Sequence, residues 1–181
     1  MRWLVVALSG VALASCAPNG ALPGIKDRST LSIVLVRSGP DYAVEIMGDG
    51  TATYCGVHFV EQVGERTRQV SEASLFELVE RLHEVDFFDL KDEYVANKLH
   101  SPMYTVVVRY DGKEKVVVDE VGERVGMPAA VTDLQDAIDR VAGTSEWVGV
   151  GAFGFASEWP ACGTKYFNPP PMIVEPDFGE Q

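Results

Sequence analysis

Cationic residues are scarce in this chain. Fifteen Lys and Arg stand against 27 Asp and Glu, a net charge of −12 over 181 residues. Affinity for nucleic acid comes mainly from cations that neutralise phosphates, so no nucleic-acid partner is expected. Attachment through a polybasic patch to an anionic lipid surface is not expected either, on the same ground. Long apolar runs are also missing. The most apolar stretch, residues 3–13, has eleven residues, whereas a spanning helix needs about 20. Histidine occurs only at His58, His83 and His100, with no two of them three or four apart. That spacing supplies no zinc or general-base signature. A G-x-S-x-G elbow and a P-loop are absent, so nucleophilic-serine and phosphate-cradling chemistry lack their usual signals. A triad gathered from distant residues would leave no such trace. No catalytic residue, metal ligand or cofactor is assigned.

What is present begins at the N-terminus. Met1-Arg2-Trp3 puts one positive charge before the apolar run, which ends Leu13-Ala14-Ser15-Cys16. Eleven residues suit the core of a signal peptide, and the ending resembles a bacterial lipobox. Residues 1–15 are then the signal peptide and Cys16 is the lipidated residue. The alternative is an ordinary A-x-A-like cleavage site with a chance cysteine. The lipobox resemblance implies three acyl chains on the mature N-terminus, and two already anchor stably. Ala17, rather than Asp, follows the cysteine, which implies an outer-membrane anchor facing the periplasm. Residues 16–29, with Pro18, Asn19, Gly20, Pro23 and Gly24, read as a flexible tether.

Setting Cys16 aside leaves Cys55 and Cys162, 107 positions apart. Outside the cytoplasm an even pair is a disulfide candidate; two free thiols are the alternative. Neither has a C-x-x-C partner, so zinc binding and thioredoxin-like chemistry have no support.

Residues 30–148 carry the periodic signals. Residues 31–36 are apolar on both faces and read as a central strand. Residues 42–47 alternate and lead through Gly48-Asp49-Gly50 into a strand over 51–55, a hairpin signal. Short strands are expected at 58–60 and 66–70. Ser71 can cap a helix to about Glu84, with Leu75, Leu78, Val79, Leu82 and Val85 at helical spacing. Residues 89–103 read as irregular. Strands over 104–110 and 114–119 flank Asp111-Gly112. Pro128 falls where a first helical turn tolerates it, Val131, Leu134, Ile138 and Val141 form a second apolar stripe, and Gly143 ends that helix. The expected class is α+β: an antiparallel sheet of hairpins with two helices on one face. Residues 149–181 form a Gly-, aromatic- and Pro-rich tail, expected to wrap the domain at least as far as Phe167.

Several of these pieces together resemble domain of unknown function 6438, a bacterial envelope family. They are the strand 31–36, the Gly48-Asp49-Gly50 hairpin and Val85-Asp86-Phe87-Phe88-Asp89-Leu90 closing the first helix. Asp92, Tyr94, Gly112-Lys113, Ala137-Ile138-Asp139 and Ala142-Gly143-Thr144 before Trp147 complete the set. The resemblance covers about 31–148. Members often carry Cys-x-Gly-x-Cys-Pro after the first strand. Here that region reads Arg37-Ser38-Gly39-Pro40-Asp41, so no role of that cysteine pair carries over. The resemblance implies fold and location, and no activity.

Other motifs have plainer readings. Gly149, Gly151 and Gly154 spell G-x-G-x-x-G but follow a helix, not a strand, and fail the dinucleotide context. Glu84, Asp86, Asp89, Asp92 and Glu93 lack the EF-hand order and read as solvated charge. Pro169-Pro170-Pro171 reads as a structural tail, with a polyproline II ligand as the alternative. The sum is a lipid-anchored, non-catalytic envelope domain that binds an unidentified envelope protein or ligand. The alternatives are an envelope hydrolase whose site assembles only in three dimensions, and a small-ligand carrier lidded by the aromatics between Trp147 and Phe167.

Overall fold

The computed structural model describes residues 21–98, 101–149 and 160–167. The signal segment, Cys16, His100, Gly151, Gly154 and the proline triplet lie outside the described residues. The strands are β1 Ser32–Ser38, β2 Asp41–Met47, β3 Thr51–His58, β4 Gly64–Gln69, β5 Glu93–Val95, β6 Met103–Tyr110 and β7 Lys113–Glu120. The helices are α1 Glu72–Glu84 and α2 Ala129–Ala142, with single turns α3 Ser145–Val148 and α4 Gly163–Tyr166. The strands form one sheet in the order β4-β3-β2-β1-β6-β7-β5. β1 lies at its centre, as its two-sided apolar run requires.

The α+β architecture is the expected one. Alternation along the strands sends Ile33, Leu35, Val44, Ile46, Val106, Val108 and Val117 toward the helices. There they meet Leu75, Leu78, Val79 and Leu82 of α1 and Val131, Leu134, Ala137 and Ile138 of α2. Fully burying each large aliphatic side chain stabilises the fold by about 1.5–3 kcal/mol. Ser71 caps α1, its hydroxyl accepting from Ser74 N at 3.1 Å. Gly143 ends α2 in the left-handed region at φ 69°, where a side chain would be strained.

Four details depart from the sequence reading. Residues 22–28, expected to belong to the tether, are docked on the domain. Leu22 and Ile25 are buried in the main core, and the backbone N–H groups of Lys26 and Asp27 donate to the Asp111 carboxylate at 2.8 and 2.9 Å. Arg28 pairs with Glu72 of α1. Apolar side chains with a place in the core dock a segment that its Pro and Gly content alone would leave free. The separate strand at 58–60 does not form, because β3 continues to His58 and Phe59 turns away at φ 56°. Pro128 is the N-cap of α2 rather than a residue of its first turn. Finally, β5 lies in a stretch read as irregular. It pairs parallel with β7, so the sheet is antiparallel apart from one edge. Three residues are too few to display a period of two.

Candidate functional site

Near one end of the helix-facing side, the apolar rows give way to a polar one. The strand register sets Arg37 between Tyr42 and Tyr104, and Tyr104 beside Asp119, which pairs with Tyr94. Arg37 stacks over the Tyr104 ring, 5.0 Å from its centroid. From above, α2 lowers Gln135, Asp136 and Asp139 toward this row. These three occupy one side of the helix at i, i+1 and i+4.

The β2 side of the row is closed. The Tyr42 hydroxyl lies 2.8 and 2.7 Å from the two Asp139 carboxylate oxygens and donates to them. Thr144 Oγ1 donates to Asp139 Oδ1 at 2.8 Å. Arg37 stands farther off, 4.0 Å from Asp139. Burial between helix and sheet pushes the Asp139 carboxyl up, against the lowering effect of Tyr42 and Thr144. The Tyr42 phenol is also pushed up, by burial first and then by the Asp139 charge, so it remains a donor. Tyr54 packs against Tyr42, and Trp147 packs on Tyr54 at 5.1 Å between ring centroids. Trp147 therefore fills this corner instead of covering a ligand space.

The β7 side of the row is open. A cavity of about 300 Å³ lies between β6, β7, the turn after β7 and α2. Tyr104, Val121 and Met127 line it, and Asp119 and Gln135 are its buried polar groups, 5% and 2% exposed. Asp119 Oδ1 accepts from Gly122 N at 2.7 Å and Oδ2 from Gln135 Nε2 at 3.0 Å. A Cβ on Gly122 would come within 2.8 Å of Asp119 Oδ1 and of Tyr94 Cβ, so only glycine allows this close approach. Glu123, Arg124 and Asp136 stand around the mouth.

The opposite face of the sheet holds residues 162–166. A disulfide joins Cys55 of β3 to Cys162, with Cα atoms 5.9 Å apart, as the pair left once Cys16 is set aside suggested. It brings α4 over β2. There Lys165 pairs with Glu45, Tyr166 donates to Glu45 at 2.9 Å and Ser32 donates to it at 2.8 Å. Burial opposes ionisation of Glu45, but these donors hold its carboxyl below the ordinary value.

The remaining candidates do not converge on the cavity. His58 Nδ1 lies 3.3 Å from Asp41 Oδ2 at the ends of β2 and β3. His83 meets the Pro23 carbonyl at 3.0 Å. In the acidic group, Asp92 pairs with Lys115 at 2.6 Å. Among the described residues, no three His, Cys, Asp or Glu gather as they would around a metal ion. The residues that line the cavity were not singled out in the sequence. Each of Tyr104, Asp119 and Gln135 is an unremarkable polar position within an element, and only register brings them together. The one available signal was polar residues breaking the helix-facing period: Asp119 in β7 and Gln135 beside Leu134 in α2.

The family model of a domain of unknown function, DUF6438, matches residues 38–142. The chain belongs to this family. The matched region of the DUF6438 domain runs from the end of β1 to the end of α2, and so includes the cavity and the Tyr42–Asp139 network. Cys162 and α4 lie beyond it. No curated protein matches the chain.

Proposed function

We propose that this DUF6438 protein is a lipid-anchored component of the bacterial envelope and that its domain is a non-catalytic binding module engaging its ligand through the cavity beside α2. The observation that carries the binding reading is Asp119 with Gln135. A carboxylate and a carboxamide, both almost wholly buried, lie against an open cavity whose other walls are largely apolar. Few polar groups fixed in an apolar concavity is the usual chemistry of a ligand site. The envelope reading rests on Leu13-Ala14-Ser15-Cys16 and is supported by the Cys55–Cys162 disulfide, which suits an oxidising compartment. The anchor is Cys16 and the location is the periplasmic side of the outer membrane.

Two experiments test this reading. Intact mass of membrane-extracted protein should begin at Cys16 with acyl chains added, and Cys16→Ala should leave the membrane fraction. An unlipidated mass in the native protein would overturn the anchor. In cells, a photoreactive residue at position 124, at the cavity mouth, should yield adducts. One at position 113, at the other end of the β6–β7 hairpin, should not. The reverse pattern would remove the cavity as the binding surface.

A further inference from the structure

The chemistry of the cavity narrows the class of ligand, on the reading that the cavity is a binding site. Asp119 has no cationic side chain paired with it among the described residues. Its two hydrogen bonds come from a backbone amide and a carboxamide, both neutral. Burying a carboxylate without a counter-charge is costly, and two neutral donors offset only part of that cost. The mouth adds Glu123 and Asp136 against a single cation, Arg124. Glu123 is engaged by the Thr132 hydroxyl at 2.8 Å. Gln135 directs one of its two N–H groups to Asp119, and its carbonyl makes no hydrogen bond within the described protein. The buried polar groups left to a ligand are thus the Asp119 carboxylate and the Gln135 carbonyl, both acceptors, together with the second N–H of Gln135; the Tyr104 hydroxyl and, at the mouth, the Arg124 guanidinium complete the set. The walls beside them are Tyr104, Val121 and Met127. A bare metal ion does not suit this set, since no three candidate ligands converge among the described residues and much of the wall is apolar.

We infer that the cavity binds a small organic cation, an amine or amidine with a compact apolar body, its N–H groups directed to Asp119 and Gln135 and its body against Tyr104 and Met127. The ligand supplies the counter-charge that the protein withholds from Asp119.

The probes are benzylamine, benzyl alcohol and benzoate, which share a ring and differ in charge. Each is titrated into the full chain in detergent with its disulfide intact, following amide shifts and melting temperature. Benzylamine should saturate and shift amides over 119–127 and in α2, binding at least tenfold more tightly than benzyl alcohol, with benzoate weakest. Asp119→Asn should erase the preference for benzylamine over benzyl alcohol. Asp136→Lys, at an exposed position where folding is not at stake, should weaken benzylamine severalfold and leave benzyl alcohol unchanged. Saturation by benzyl alcohol or benzoate in preference to benzylamine would overturn the cationic class and leave the binding-module reading standing. Absence of saturable benzylamine binding, or binding indifferent to both variants, would overturn the inference. The position-124 adducts then judge the module reading separately.

Discussion

Asp139 and Glu45 sit on opposite faces of one sheet, and each accepts from a tyrosine hydroxyl. Both are mostly withdrawn from water, with side-chain exposures of 18 and 12%. Yet the Asp139 carboxyl is pushed up and that of Glu45 is held down. Burial raises both. Burial weighs more on Asp139, and a contacting cation, with Ser32 and Tyr166, offsets it at Glu45. Lys165 is in direct contact with Glu45, whereas Arg37 stays 4.0 Å from Asp139 and leans on the Tyr104 ring. A charge in contact outweighs lost hydration, and a cation held off by stacking does not. The helix-side network thus depends on neutral donors and packing, while the cluster on the opposite face depends on an ion pair delivered by a disulfide.

The largest test of this contrast removes the delivery. Replacing both cysteines, Cys55→Ser with Cys162→Ser, should destabilise the protein by up to about 4.7 kcal/mol, the chain-entropy value for a loop near 100 residues. Urea unfolding measures it. The same variant should let the Glu45 carboxyl rise, because Lys165 and Tyr166 follow Cys162 closely, while Asp139 should not move. Carboxyl titration by NMR reads both, and parallel movement of the two would show the faces to be coupled.

Tyr42→Phe comes next. It takes the principal donor from Asp139 without opening a cavity, and should cost about 1–3 kcal/mol in urea unfolding. A smaller loss would mean that Thr144 alone satisfies the carboxylate.

The pH dependences of the two sites should have opposite signs. Asp139 holds its proton in the folded state above its ordinary value of 3.8. Between 3.8 and that raised pKa the folded state binds more protons, so stability falls as pH rises. Glu45 ionises below its ordinary 4.5 when folded, so its contribution is present above 4.5 and lost as pH falls toward the folded pKa. Asp139→Asn should flatten the decline above 3.8, and Glu45→Gln the loss below 4.5. Melting temperatures from pH 3 to 7 check both. Interchanged effects would refute the assignment. The smallest effect belongs to Lys165→Ala, at about 0.2–1 kcal/mol, because Lys165 is 60% exposed and water screens its pair.

Much of the fold was legible before any coordinates. Helix and strand periods, the Ser71 cap, the Asp49-Gly50 and Asp111-Gly112 turns and the two-sided β1 run are local signals, carried by neighbours in the chain. The Cys55–Cys162 link was legible by counting. β5 was not, since its pairing comes from a strand twenty-five residues onward and three residues show no period. Leu22 and Ile25 were misread because Pro and Gly around them speak of the chain's freedom, while their burial depends on a space made by distant elements.

The sequence by itself determined the class of architecture, the acidic balance and the lipobox-like segment. Each of these is a property of composition or of spacing within a few residues. Tertiary structure alone decided the site. Register across β2, β1, β6, β7 and β5 placed Tyr42, Arg37, Tyr104, Asp119 and Tyr94 in one row, and α2 set Gln135 and Asp139 on top of it. A side chain's acidity and partners follow from what packs within a few ångströms of it, and those neighbours come from all along the chain.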